Sequence, residues 1–336
     1  MIKNRFVLID AFALIFRAFY ALPPLTNKEG VQLNAAYGFT SALLASIKEL
    51  EPEYLAVGFD LPKPTKRHIE YVEYKAHRAL MPEDLMAQVP YVREILKTMN
   101  IPTYAVEGYE GEDVIATIVA KLKTQNLKLK TKLEFIIVTG DLDCLQLVDE
   151  QTKVYSMARG VNQAVMYDEA KVQERYGLKP SQFVDFKALK GDASDNIPGV
   201  KGIGEKTAAT LIQKFGSLEN LYQKISNDKF LISNEISAEI NEIPMPNDKM
   251  TKKIQKDIKI SEKVLRLLKE NKEQAFLSQK LSKIETNLNI DFVLSEARVH
   301  DYNYEKVKKL FLKLGFKSLV ARLPEEKRGN PQQTLL

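Results

Sequence analysis

The chain has 336 residues, 45% of them hydrophobic and 28% charged, with 49 basic against 44 acidic residues for a net charge of +5. That composition fits a globular protein of one large or two ordinary domains, with enough apolar material for a core; it argues against a disordered chain, and so small a basic surplus does not by itself name a nucleic-acid partner. The single cysteine, Cys144, excludes a disulfide framework or a thiolate zinc site, and only three histidines (His68, His77, His300) argue against a histidine-rich metal centre.

Met1-Ile2-Lys3-Asn4-Arg5 leads into an apolar run that Asp10 and Arg17 interrupt. No signal peptide and no span of the ~20 apolar residues a membrane needs is expected, and a cytoplasmic protein is. Phe6-Val7-Leu8-Ile9 is a short apolar run ending in Asp10 and is expected as a buried parallel strand. Ala36 to Leu50 has a helical pattern. Leu55-Ala56-Val57-Gly58-Phe59 is a second apolar run and ends in Asp60. Val114 to Leu122 puts Ile115, Ile118, Val119 and Leu122 on one helical face. Glu134-Phe135-Ile136-Ile137-Val138-Thr139 is a third strand, followed by Gly140-Asp141. Strands alternating with helices imply an α/β fold with a mostly parallel central sheet, and such sheets bind ligands beyond the carboxyl ends of their strands. All three expected strands end in an aspartate at that edge.

From about Phe183 strand signals give way to lysine-rich helices. The expected division is an α/β domain over 1–177, a helical region over 178–323 and a disordered tail over 324–336. Residues 223–262, polar and lysine-rich, are expected as surface helices or a mobile insert.

Three acidic groups join Asp10 and Asp60: Glu110-Gly111-Glu112-Asp113, Asp141-Leu142-Asp143 and Asp192-Ala193-Ser194-Asp195. The candidate ligands Asp10, Asp60, Glu110, Glu112, Asp113, Asp141, Asp143, Asp192 and Asp195 suit hard Mg²⁺ or Mn²⁺ ions. Two such ions ~3.5–4 Å apart can activate a water and stabilise a leaving oxygen. Singly, each acid has an ordinary alternative: Asp113 as a helix N-cap, Asp195-Asn196 as a turn. Together they repel one another unless cations neutralise them.

Ile197-Pro198-Gly199-Val200-Lys201-Gly202-Ile203-Gly204-Glu205-Lys206-Thr207-Ala208 is the most informative stretch. It is G-x-x-G-x-G after a proline turn, so it is not a dinucleotide fingerprint, and Glu205 occupies the place where a P-loop has its lysine. Two short helices joined by a glycine hairpin remain. Gly199, Gly202 and Gly204 would let backbone N–H groups hold a phosphate, with Lys201, Lys206 and Lys214 adding a sequence-independent grip on a DNA backbone. A plain helix–helix turn with exposed lysines is the alternative.

The stretch from Gly191 to Gly204 resembles the helix-hairpin region of the 5′→3′ exonuclease domains of bacterial DNA polymerase I, in the flap endonuclease family. Further motifs follow the family's order: Val7 to Asp10 with Arg17-Ala18-Phe19-Tyr20, Phe59-Asp60 with Arg67-His68, Glu73 to Arg78, Gly108 to Asp113, Val138 to Asp143 with Gln146-Leu147-Val148, Glu273 to Ser278, and Leu310 to Leu319. The resemblance covers nearly all of residues 5–323. It implies a PIN-like or resolvase-like nuclease core with a helix-hairpin-helix region, acting on branched DNA with a 5′ flap or 5′ end. It also implies a first ion near Asp10, Asp60, Glu110, Glu112 and Asp113, and a second completed by Asp141, Asp143, Asp192 and Asp195. Lys75 and Arg78 would lie on a helix and touch the scissile phosphate. Tyr74 would stack on a base, Arg17, Tyr20 and Arg67 would contact DNA, and a monovalent cation such as K⁺ would sit at the hairpin. The chain is expected to be a monomer. Its tail, Pro331-Gln332-Gln333-Thr334-Leu335-Leu336, faintly resembles peptides that bind sliding clamps.

The sequence departs from the family pattern in places. Leu61-Pro62-Lys63 follows Asp60 where Ala-Lys-Gly is usual, Lys66 stands where an aromatic is usual, and Glu112 replaces an aspartate. An RNase of the PIN-like type and a non-catalytic DNA-binding module are the other readings. The hairpin argues against the first, and the complete set of acids against the second.

Overall fold

Phe6-Val7-Leu8-Ile9 lies at the centre of the sheet because every side chain in it has an apolar wall to face. The computed structural model describes residues 4–129, 133–157, 163–226, 260–299 and 301–324. The expected clamp-binding tail, and the 223–262 insert except for its two ends, lie outside them. Six strands, β1 (Asn4–Asp10), β2 (Tyr54–Gly58), β3 (Thr103–Tyr104), β4 (Leu133–Thr139), β5 (Thr152–Ser156) and β6 (Val165–Tyr167), form one sheet in the order β3-β2-β1-β4-β5-β6. All neighbours run parallel except β5 and β6. Strands β3, β5 and β6 were not anticipated. A two-residue strand is too short to leave a pattern, and the polar Thr152 and Lys153 dilute β5.

Strand alternation sends Phe6, Leu8, Ala56, Phe135 and Ile137 to one face and Val7, Ile9, Leu55, Val57, Ile136 and Val138 to the other. In chain order the helices of the α/β part are α1 (Ala11–Ala21), α2 (Asn34–Leu50), α3 (Lys66–Glu70), α4 (Glu83–Met86), α5 (Val89–Thr98), α6 (Gly111–Leu129) and α7 (Glu169–Tyr176). On the first face α6 buries Val114, Ile115, Ile118, Val119 and Leu122, the stripe its sequence spacing dictates. On the second, α1, α2 and α5 bring Leu14, Ile15, Phe39, Leu43, Val92 and Ile95.

The helical region follows as α8 (Phe183–Lys190), α9 (Glu205–Phe215), α10 (Leu218–Ser226), α11 (Glu262–Glu270) and α12 (Lys272–Ser282). Its buried Phe186, Leu189, Leu211, Leu221 and Leu268 share one core with the first face of the sheet. The expectation of a single helical region to 323 needs correction. After Ser282 the chain returns to the α/β domain. Leu288 donates its N–H to Thr117 Oγ1 at 3.3 Å, and Phe292 stacks on Phe6 at 5.6 Å. The chain then passes the β2 edge, where Val299 N–H meets the Glu53 carbonyl at 3.0 Å. Helices α13 (Tyr304–Lys313) and α14 (Lys317–Val320) finally bury Val307, Phe311 and Phe316 in the opposite face. An amphipathic pattern shows that a helix has an apolar side, not which surface it covers.

Strand β2 and the start of α6 approach so closely that a Cβ on Gly58 would meet the Gly111 carbonyl at 2.7 Å and Ile115 Cγ1 at 2.9 Å. Gly58→Ala should therefore cost about 1–3 kcal/mol through overpacking. Urea denaturation measures it, and an unchanged midpoint would show that the contact is dispensable.

Candidate active site

The acids stand where the backbone must leave the sheet. Asp10 is the last residue of β1 and caps α1, its Oδ1 accepting from Ala13 N–H at 3.2 Å. Thr139, ending β4, donates its hydroxyl to Asp10 Oδ2 at 2.9 Å and accepts the Asp141 N–H at 3.0 Å. Asp141 Oδ1 accepts the Asp143 N–H at 2.9 Å, which folds the following residues into a 3-10 turn. Asp60 follows β2 and accepts the Gly111 N–H, the first residue of α6. Backbone geometry thus orients each carboxylate before any ligand does. These acids border a cleft of about 550 Å³ whose lining also includes Arg17, Lys75, Arg78, Glu110, Glu112, Lys187, Lys190 and Asp192. Phe12, Phe16, Tyr176, Phe183 and Phe186 form its apolar wall.

The nine candidate acids sort by their partners. Asp113 is 1% exposed and fully engaged: Arg67 holds both oxygens at 3.0 and 2.8 Å, and the Glu110 and Glu285 N–H groups donate to it at 3.0 and 2.9 Å. It is the third residue of α6 reaching back to the helix start, a half capping box rather than the anticipated cap or ligand. Asp195 is likewise buried; it binds Arg78, accepts the Tyr74 hydroxyl at 3.2 Å and lies 3.6 Å from Lys75 Nζ. Glu110 takes both oxygens to Lys75 at 2.9 Å and one to Arg67 at 3.1 Å. Asp143 and Asp192 share Lys187. Among the described residues no ion pair reaches Asp10, Asp60 or Asp141, and Glu112 has only Arg67 at 3.5 Å.

These four acids are short of positive charge, and their chemistry fits hard divalent ions. Burial, then the charges of Asp60 and Asp141, push the Asp10 carboxyl up to about 7. Burial likewise raises Asp60, and raises Glu112 well above the carboxylate range. For Asp143, burial and the Asp141 charge outweigh Lys187 and push it up to about 7. Burial opposes ionisation of Asp192 too, but Lys187 prevails and holds it near about 2. Among the described residues no three of these groups form a preformed metal cage.

Four other expectations are corrected. Tyr74 is 2% exposed, so no base can stack on it; its hydroxyl bridges Glu110 and Asp195 at 3.3 and 3.2 Å. Arg67, 8% exposed, is a strut rather than a DNA contact. Besides Asp113 it donates to the Leu281 and Lys283 carbonyls at 3.0 and 2.9 Å, fastening the end of α12 to the start of α6. Lys75 and Arg78 sit not on a helix but in successive turns, where Lys75 has φ +54° and its N–H meets the Asp195 carbonyl at 2.9 Å. In the hairpin, Lys201, Gly202, Gly204 and Lys206 are exposed. Gly199 is not available to a phosphate. It is buried at φ +60°, a Cβ there would meet Gly191 N at 2.3 Å, and its N–H is given to Ser278 Oγ at 3.0 Å. Tyr20 is 69% exposed, against Phe19. Two departures from the family pattern find local partners: Lys63 pairs with Glu107 at 2.8 Å, and Lys66 lies over the Tyr109 ring at 4.5 Å. Lys187 was missed, because one lysine in a lysine-rich helix carries no pattern.

Two family descriptions match the chain: "5′-3′ exonuclease, N-terminal resolvase-like domain" over residues 5–177 and "5′-3′ exonuclease, C-terminal SAM fold" over 178–305. The chain belongs to the 5′-3′ exonuclease family. Among curated relatives, DNA polymerase I of Caldicellulosiruptor bescii is 37% identical over 321 residues, which is 95% of this chain and 33% of that protein. DNA polymerase I of Bacillus subtilis is 36% identical over 324 residues, 96% of this chain and 33% of that protein. The chain thus spans about a third of the length of these relatives. Of solved structures, T5 5′-exonuclease with bound zinc aligns with a TM-score of 0.60 at 20% identity, covering 83% of this chain and 89% of that one. The catalytic core of Rad2 in complex with DNA substrate aligns at 0.56 and 18% identity, covering 96% and 93%. At such identities the two structures bear on the fold of this family member.

Two expectations follow. Arg67→Ala would strand buried Asp113 without its cation, leave Glu110 to Lys75 alone, and should cost about 3–5 kcal/mol of stability; a DNA contact would leave the melting temperature unchanged and weaken only DNA binding. The second concerns pH. Unfolded, Asp10 and Asp143 lose their protons near about 4; folded, they keep them to about 7. Between those values the metal-free fold binds more protons than the unfolded chain, so its stability should fall as pH rises from 5 to 8. Added Mg²⁺ should flatten that slope and release protons below pH 7, as calorimetry in buffers of different ionisation enthalpy would measure. A metal-free stability that climbs steadily to pH 8 would contradict this.

Proposed function

We propose that the chain is a divalent-metal-dependent, structure-selective nuclease acting at 5′ ends and 5′ flaps of branched DNA, and on RNA primers, in the cytoplasm. The observation that carries this is the sorting of the acids: among the described residues Asp10, Asp60 and Asp141 have no ion pair and Glu112 only Arg67 at 3.5 Å, while Lys75 and Arg78 line the same cleft. Family membership supports it. Asp10, Asp60, Glu112 and Asp141, with Asp143 and Asp192, would hold two Mg²⁺ or Mn²⁺ ions. Such ions supply an activated water and stabilise charge in an in-line displacement.

The chain's own groups do the rest. Lys75 donates to both oxygens of Glu110, stands 3.6 Å from Asp195 and lines the cleft, where its ammonium would meet the scissile phosphate. Arg78 uses Nε on the Ser194 carbonyl and Nη2 on Asp195, leaving donors facing the cleft. Both cations are pre-positioned, so stabilising the phosphate's developing charge needs little reorganisation. Tyr74 and Asn196 brace them from behind: Asn196 Nδ2 donates to the Glu73 carbonyl at 2.7 Å. Breaking the bond to the 3′ oxygen leaves a 5′-phosphate. Lys201, Lys206 and the exposed backbone at Gly202 and Gly204 grip the duplex, with a monovalent cation such as K⁺ bridging hairpin and phosphate. Arg17 and Tyr20 meet the strand at the cleft mouth. The chain acts as a monomer, and its tail is the segment a sliding clamp would take.

A labelled 5′-flap DNA tests the proposal. Cleavage near the junction should require Mg²⁺, stop with chelator and be lost in Asp141→Ala. Lys75→Met should lower kcat by about 10²–10³-fold, the cost of one pre-organised donor, with little change in DNA affinity. Metal-independent cleavage, or a preference for single-stranded RNA, would overturn it.

A further inference from the structure

Lys187 presents an unusual balance of charge. It is 5% exposed, and its ammonium lies between Asp143, 9% exposed, and half-buried Asp192, with both of which it forms ion pairs. It extends from α8, in the helical region, while Asp143 belongs to the loop after β4. The triad sets two carboxyl groups against one ammonium. A lysine is a compact point charge on a flexible stem, so it can neutralise either acid and can also swing away. A divalent ion that takes both carboxylates would match their charge, but would strip Lys187 of both partners inside a largely buried site. A buried unpaired ammonium is costly, so the exchange needs a second anion for the lysine. Lys187 borders the cleft directly, and its other cleft neighbours on α8, Phe183, Phe186 and Lys190, offer no carboxylate. The anion that enters the cleft is the phosphate of the substrate.

Resting on the two-ion reading above, we propose that Lys187 is a positioning residue that keeps the place of the second ion and yields it only when a DNA phosphate takes over its charge. Ion and DNA then bind with positive coupling, and each must tighten the other by the same factor. The first ion, at Asp10, Asp60, Glu112 and Asp141, has no lysine to displace and binds without DNA. The device keeps the cleft half-charged with metal until a substrate arrives.

Mn²⁺ titrations followed by electron paramagnetic resonance, with and without a phosphorothioate flap DNA that resists hydrolysis, test this on the full chain. In the wild type the second Mn²⁺ should bind weakly alone and at least about tenfold more tightly with DNA, a coupling of about 1.4 kcal/mol. Lys187→Met should bind it at least about tenfold more tightly without DNA, and DNA should then add little. The metal-free variant should melt lower than the wild type and gain more from Mn²⁺. Lys187→Arg, which keeps the charge, should retain the dependence on DNA. Equal second-ion affinity with and without DNA in the wild type overturns the proposal without recourse to any variant, as does unchanged second-ion binding in a folded Lys187→Met. If the wild type binds no Mn²⁺ at all, the metal-dependent nuclease reading falls with it.

Discussion

Repulsion among carboxylates at the carboxyl edge of a parallel sheet is the constraint on which this structure turns. Asp10 and Asp60 follow central strands, Asp141 follows a third, and Glu112 rides the first turn of a helix pressed on all of them. Their proximity cannot be relieved by turning side chains outward, because backbone N–H groups at Ala13, Gly111 and Asp143 and the Thr139 hydroxyl fix three of them. The molecule answers with cations of two kinds. Arg67, Lys75, Arg78 and Lys187 neutralise Asp113, Glu110, Asp195, Asp143 and Asp192 from within. The remaining acids are left for cations from solution.

That division gives the outlying parts of the chain a purpose in the site. Arg67 is clamped by carbonyls at the end of α12, so the helical region reaches the acidic edge of the sheet through one guanidinium. Lys187 reaches it from α8. The segment after Ser282 then crosses from one face of the sheet to the other, covering Phe6 with Phe292 and closing the second core with Phe311 and Phe316. Rigid strands, a close-packed β2–α6 contact and the cations Arg67, Lys75, Arg78 and Lys187 hold acids from distant parts of the sequence in one cleft. Pre-organisation of this kind lets a few charged groups act on a phosphate without rearranging first.

The sequence made the central strands and their terminal acids legible because apolar runs and carboxylates follow simple local rules. Phe6 to Ile9 and Phe135 to Val138 are apolar without interruption, as strands buried on both faces must be. The distinction between ligand and strut was not legible. Asp113 and Glu112 are adjacent and chemically alike, yet Arg67, 46 residues away, holds both oxygens of Asp113 at 3.0 and 2.8 Å, while Glu112 lines the cleft with Arg67 only at 3.5 Å. The resemblance implied that Tyr74 stacks on a base, whereas it is buried, beside Lys75 at φ +54°. Family resemblance pointed to this stretch of acids and cations, and packing shows which of them are held by other side chains.

Anomalous scattering from crystals grown with Mn²⁺ would test the central claim most directly. The account predicts a peak among Asp10, Asp60, Glu112 and Asp141, with Asp113 still held by Arg67 and Asp195 still held by Arg78. Manganese bound to Asp113 or Asp195, or no manganese among those four acids, would contradict it.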